Sequence, residues 1–279
     1  MKPLTVYENG SFVEKQGARV ESTMQNIADL FTEVSSKPQS MLKKSFILVK
    51  PRHKAISTVK KIEPASRETP SRCFYDFLQN NEQLLKNCGI KTAPLLPFPS
   101  YATNPIPHLF RYHPALGPTF AVIAQKLQRG QLSLGAEWIV DIAEIYARNI
   151  SIDGSLRIYA VQQTGHLEGG VRYYSDRVGR CYLNNVVVKN RGLHQQSAAN
   201  YWQSYEREES VVIHIEGDGE FFAENVVLQG ARQYHVKAGE RLSITASNGF
   251  VKESVENIAQ ASWSWKYRLE KDFSIKLSR

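Results

Sequence analysis

The chain has 279 residues, 42% of them apolar and 22% charged, an ordinary balance that excludes collagen-like and wholly disordered readings. No apolar run reaches the roughly 18–20 residues that span a bilayer, and the opening MKPLTVYENG lacks the apolar centre of a signal peptide, so a soluble, cytoplasmic protein is expected. The net charge of +8 is local: nine Lys or Arg against the one acid Glu63, between Lys37 and Arg67, account for all of it. A solvated basic connector is the expected reading of that stretch. Phe46 is its one aromatic residue, so it lacks rings interleaved to stack on bases, and nucleic acid is not an expected partner. Cys73, Cys88 and Cys181 are odd in number and lack metal-ligand spacing, which predicts buried thiols rather than a disulfide framework.

Punctuation divides the chain. All twelve prolines stand at or before Pro118, and thirteen of the seventeen glycines stand from Gly130 onward. Helices joined by extended linkers should therefore precede a series of short paired strands, because proline cannot donate to a ladder and glycine supplies tight turns. Met24, Ile27, Leu30, Phe31 and Val34 share one face of a predicted helix over 22–34. Thr69-Pro70 caps a second helix, which runs through Phe74, Leu78, Leu84 and Leu85 and stops at Gly89. The segment TAPLLPFPSYATNPIPHLF predicts an extended surface crossing. Gly117-Pro118 opens a third helix through Phe120, Ile123 and Leu127 as far as Gly130, and a fourth covers about 196–209.

After Gly130 the apolar period shortens. NISIDG from Asn149, NVVVKN from Asn185 and NVVLQG from Asn225 form a weak repeat, spaced by 36 and 40 residues. Each places Asn first, apolar residues next and third-next, and Gly or Asn sixth. Asn and Gly sit cheaply in left-handed turns. Stacked, such units form a β-helix with a continuous apolar interior; a two-sheet sandwich gives similar local signals and stays open. The expected fold class is α+β, a helical N-terminal segment followed by a C-terminal β-helix. Its expected divisions are a nucleotidyltransferase remnant (1–36), a basic linker (37–67), a helical connector (68–130), the β-helix (131–255) and a tail (256–279).

No glycine-rich loop runs from a strand into a helix, so no phosphate cradle is encoded here; Gly169-Gly170 and Gly217-Asp218-Gly219 read as turns between strands. Asp141, Glu144, Asp153, Asp176, Glu216, Asp218, Glu220 and Glu224 stand beside turns, where local backbone bonding is favoured over an acid–base pair. His113, in RYHPALGP, is expected to be a hydrogen-bonded structural residue. Lys15 and Arg19 stand four apart in KQGARVESTMQN, before the first predicted helix. A lysine there offers a compact charge suited to a phosphoryl group.

That stretch, Lys15 to Asn26, resembles a segment of the UDP-sugar pyrophosphorylases. ETPSRCFYDFLQN, RYHPALGPTFAVIAQKLQRG, RNISIDGSLRIYA, CYLNNVVVKNRG and EFFAENVVLQG are similar to later parts of the same family, in its UDP-glucose pyrophosphorylase-like branch. The resemblance covers residues 12–34 and 67–250. It implies a Rossmann-like nucleotidyltransferase domain followed by a β-helical domain. The implied reaction joins UTP and a sugar 1-phosphate into a UDP-sugar and pyrophosphate, with Mg²⁺ assisting by neutralising charge. Lys15 matches the family lysine expected to face the sugar phosphate or the transferred phosphate and is expected to be catalytic; Arg19 and Glu21 match motif positions expected to bind substrate. The family's uridine-triphosphate loop belongs upstream of Lys15, where this chain has fourteen residues. The resemblance is therefore to the C-terminal half. Activity on UTP and sugar 1-phosphate is expected only together with the other half, and none from this chain alone. The alternative is a non-catalytic β-helical module for interaction, homo-oligomerisation or carbohydrate binding, with no membrane partner.

Overall fold

The computed structural model describes residues 2–17, 50–62, 68–98, 100, 106–194, 205–247 and 250–279. The chain divides into two compact units, 1–50 and 51–279, a boundary inside the basic stretch. In the first unit β1 (Lys2–Glu8) and β2 (Ser11–Gly17) form an antiparallel hairpin. Asn9 and Gly10 turn it, both at positive φ (51° and 82°), the backbone that a two-residue hairpin loop requires. The hairpin stands where helices and linkers are expected, a departure from the helical N-terminal segment; the predicted helix over 22–34 lies outside the described residues.

The second unit opens with a short 3-10 turn at Arg52–Lys54. The extended residues after it are fastened to α1 (Pro70–Asn87): the Ser57 hydroxyl donates to Asp76 at 2.6 Å, and the amides of Lys60 and Lys61 donate to the Glu68 carbonyl. This part of the basic stretch is tied down rather than loose. Helix α1 begins as its sequence predicts, with the Thr69 hydroxyl accepting from the Arg72 amide, and it buries Leu78, Leu84 and Leu85. After β3 (Ile90–Lys91) and the proline-rich crossing come β4 (His108–Tyr112) and a 3-10 turn at Pro114–Leu116.

Helix α2 (Phe120–Lys126) is capped by Thr119 and stops four residues short of Gly130; Leu127 starts β5 (Leu127–Leu132). The reason is tertiary. Leu127 and Gly130 pair with Ala147 and Ile150 of β7 (Glu144–Asp153), which follows β6 (Ala136–Asp141). A helix through Gly130 would forfeit that ladder.

From there the chain winds. It continues through β8 (Ser155–Ala160), a hairpin of β9 (Gly165–Glu168) and β10 (Val171–Tyr174), and β11 (Arg180–Lys189). Next come β12 (Leu193–His194), β13 (Glu206–Arg207), β14 (Val211–Ile215), β15 (Glu220–Gln229), β16 (Arg232–Val236) and β17 (Glu240–Ser247). One sheet orders as β17-β15-β11-β7-β5-β3 and the other as β16-β14-β8-β6-β4, all pairs parallel. Successive long strands alternate between the sheets, and both line one apolar core. This is a β-helix-like winding. A sandwich of antiparallel hairpins does not fit it.

The described part of the predicted fourth helix, residues 205–209, is not helical and contains β13, paired with β12. Arg207 places both Nε and Nη2 on the fully buried carboxylate of Glu137, at 2.7 and 2.6 Å, and this ion pair holds the excursion to the second sheet. A charge so buried leaves its partner uncompensated if broken, which overrides the local helical pattern.

Each of β7, β11 and β15 carries a bend at its sixth residue: Asn149, Asn185 and Asn225, with φ of 54°, 53° and 51°. Inward residues in a strand alternate. One left-handed residue shifts that alternation by one place, so Ile145 and Ala147 before the bend, and Ile150 and Ile152 after it, all face inward. Cys181, Leu183, Val186 and Val188 repeat the pattern in β11, as do Phe221, Ala223, Val226 and Leu228 in β15. Nδ2 of Asn185 donates to Oδ1 of Asn225 at 2.7 Å, linking two corners. In β5 the corner is Arg129, at φ 60°. Beside it, a Cβ on Gly130 (φ 150°) would lie 2.2 Å from the Ile150 carbonyl oxygen.

Parallel winding ends where β18 (Phe250–Asn257) turns back antiparallel on β17. The remaining residues form a hairpin of β19 (Lys266–Leu269) and β20 (Ile275–Ser278) that returns to α2: Gln125 donates to the Ile275 carbonyl and accepts from the Leu277 amide. Among the described residues no helix is long and apolar enough to cross a membrane.

The corners make a stability prediction. Asn185→Ala should cost about 1–2 kcal/mol in urea denaturation, the penalty of a left-handed Cβ, and Asn185→Gly less. Gly130→Ala should cost more than either because it also collides with backbone. An Asn185→Ala variant as stable as the parent would contradict this account of the bend.

Candidate functional site

Of the residues singled out in the sequence, Lys15 lies in β2, its backbone opposite Leu4. Arg19 and Glu21 lie outside the described residues. Sites built of described side chains lie in the second unit.

The RYHPALGP segment leads to one. Between the 3-10 turn with the Gly117-Pro118 step after it, the turn from β6 to β7, the β9–β10 hairpin and the returning tail lies a cavity of about 410 Å³, lined by Pro114, Glu144, Tyr174, Arg180, Trp265 and Tyr267 among others. His113 holds one wall: its Nδ1 accepts from the Ala115 amide at 3.1 Å and so caps the 3-10 turn. That is the structural role its sequence predicts.

Charges around the cavity are held in place by backbone. Glu144 accepts from the Trp265 amide at 2.7 Å, and the Trp265 indole donates to the Ile145 carbonyl at 2.9 Å. Arg180 is 1% exposed, and its guanidinium donates to the carbonyls of Asp176, Val178 and Trp263. Glu144, Arg180, Glu220 and Arg241 occupy one register position on four adjacent strands, so charge alternates along the column. Glu220 completes it by accepting from Arg241 at 2.8 Å and from the Ser262 amide and hydroxyl. Two places further along, Tyr146, Tyr182 and Phe222 stack with centroids 5.0 and 4.6 Å apart, and Arg279 lies 4.0 Å over Tyr146.

Behind this wall sits Lys126, fully buried, its amine donating to the Ala143 carbonyl at 2.7 Å and facing the Tyr267 ring. Burial brings its pKa down to about 8, partly offset by the Glu144 carboxylate. Burial, with help from Glu144 and Tyr174, pushes Tyr267 up to about 12. The cavity thus offers a carboxylate, phenols and aromatic faces beside an amine whose pKa burial lowers to about 8.

Sequence reasoning passed over Lys126, Arg180 and the Glu137–Arg207 pair. A lysine closing a helix reads as solvated, and nothing in its neighbours marks it as buried. The charge column was findable: Glu144, Arg180 and Glu220 each stand five residues before the repeat asparagine. These turn carboxylates are held singly, but by partners distant in sequence rather than by the local backbone expected of them: Asp141 by Arg111, Asp218 by the Gly239 amide and Glu224 by Asn184. Cys88 and Cys181 are buried, and burial raises both thiols; Cys73 is half-buried and makes no disulfide.

Among the described residues, His214, Glu216 and His235 are the one group of three such side chains close enough to share an ion. Two imidazoles and one carboxylate do not fit Mg²⁺, which takes an octahedral shell of oxygens.

Lys126 yields a pH prediction. Between its pKa of about 8 in the fold and the ordinary 10.5, the folded chain has released a proton that the unfolded chain keeps, so its contribution to stability rises with pH across that window. Denaturation midpoints should move in favour of the parent over Lys126→Met as pH increases from 8 to 10.5. A difference that stays flat would contradict the buried amine.

Comparison with known proteins adds lineage. Residues 127–279 match the family described as "UGP3-like, C-terminal hexapeptide repeats". The chain is 34% identical over 280 aligned residues to UTP--glucose-1-phosphate uridylyltransferase 3, chloroplastic, of Arabidopsis thaliana, covering 93% of this chain and 32% of that relative. It therefore spans about a third of the length of the curated relative it matches. No solved structure matches it.

Proposed function

Because the chain belongs to the UGP3-like family with C-terminal hexapeptide repeats, we propose that it forms the C-terminal β-solenoid of a UTP-dependent sugar-1-phosphate uridylyltransferase. It is a scaffold, with the grip on the triphosphate supplied by a segment other than these 279 residues. The observation that carries this reading is the pairing of an alignment over nearly the whole chain with a third of the relative. Beyond α1 and α2 the described second unit is built of wound strands, and most of its positive-φ glycines stand between strands, which supports a scaffold role.

In this reading Lys15 faces the phosphate being transferred, and Arg19 and Glu21 contact substrate. Any Mg²⁺ the reaction uses would be held outside this chain, where it would neutralise charge on the phosphates. Lys15 contributes a fixed positive charge that is worth more in the transition state than in the ground state. Assembly of copies through the solenoid also belongs to this reading; β18 ends its sheet, with no partner strand on its outer edge among the described residues.

Two measurements test it. The chain alone, given UTP, glucose 1-phosphate and Mg²⁺, should release no pyrophosphate above background, and release should appear when a catalytic nucleotidyltransferase segment of the family is present. Steady turnover by the chain alone would overturn the scaffold role. In the complete enzyme, Lys15→Ala should lower kcat by more than about tenfold while leaving the fold intact, as expected for an interaction made in the transition state. Unchanged kcat would remove Lys15 from the chemistry.

A further inference from the structure

The geometry points to a transition-metal site, with Zn²⁺ as its ion, on the outer face of the second sheet at His214, Glu216 and His235. The three come from two adjacent rungs. His214 and His235 are direct register partners on the parallel strands β14 and β16. Their chain neighbours Ile213, Ile215, Tyr234 and Val236 are buried in the core, so alternation sends both imidazoles outward. Glu216 lies two residues beyond His214, on the same face, and its amide donates to the Val236 carbonyl at 2.9 Å. All three donors are therefore anchored to the ladder by backbone.

Their side chains already converge. The imidazole centroids are 5.3 Å apart at 65°, His235 Nε2 is 2.8 Å from Glu216 Oε1, and one ligand atom from each residue lies within 4.8 Å of the others. Donors about 2.0–2.1 Å from a tetrahedral zinc ion stand about 3.3 Å from one another. Small side-chain rotations supply the difference, with no movement of the rungs. The donor chemistry selects the ion: imidazole nitrogen suits zinc and its neighbours, and the single carboxylate is too little for Mg²⁺ or Ca²⁺. Half of the His235 and Glu216 surface is open, at 57% and 45% exposure, so the ion enters from solvent and keeps a coordination position for water or an outside ligand. None of the three lines the cavity at Glu144, and the proposal holds whether or not the uridylyltransferase reading does.

The test is calorimetric titration of Zn²⁺ into the chelator-treated, tag-free chain, with Co²⁺ absorption as a report of coordination geometry. One ion per chain is expected, with the intense visible bands of four-coordinate cobalt. His214→Gln and His235→Gln should each weaken binding by at least about tenfold, with the circular dichroism of the strands unchanged, and excess Mg²⁺ should not compete. Should His214→Gln fail to fold, the exposed His235→Gln decides alone. Absence of zinc binding, or binding that His235→Gln leaves unaltered, would overturn the site.

Discussion

A single left-handed residue in the middle of each long strand is the constraint on which this structure rests. Without it a ten-residue strand would send alternate side chains to opposite faces for its whole length, and half of the apolar residues after the bend would meet water. With it, the inward pattern restarts on the far side of the corner, and each rung presents four inward residues to a shared core. Each fully buried aliphatic side chain contributes on the order of 1.5–3 kcal/mol. Repeated over stacked rungs, this easily outweighs the strain at Asn149, Asn185 and Asn225.

Parallel stacking has a second consequence. Residues at one register position form columns, and the columns create environments that no single rung contains. Glu144, Arg180, Glu220 and Arg241 form a charge column, and Tyr146, Tyr182 and Phe222 an aromatic one. The tail reads both: Trp265 and Ser262 bond to the carboxylates, and Arg279 lies on the rings. The cavity beside RYHPALGP exists because this tail closes over the corner. On the other sheet the same logic sets His214 beside His235.

Local signals in the sequence were read well where local forces decide. Thr69-Pro70 and Gly89 delimit α1 because capping and helix termination depend on a few neighbouring residues. The asparagine repeat marks the corners because left-handed backbone favours few residue types. The failures have a common cause. The third helix stops at Lys126 because a strand partner claims Leu127, and part of the fourth is a strand because Glu137 claims Arg207. In both, a group distant in sequence outbids the local helical pattern. The buried Lys126 and Arg180 were illegible for the same reason, since each is surrounded by carbonyls or rings brought in from elsewhere.

By itself, then, the amino-acid order determined where the strands bend and the lineage carried by those repeats, and left a winding and a sandwich both open. Such properties follow from backbone preference and the alternation of apolar residues, both set within a few positions. Only the tertiary structure decided the columns, the closure of the tail and the meeting of two imidazoles with a carboxylate. Those depend on how many residues separate one rung from the next, and the intervening excursions differ in length without changing the rung itself.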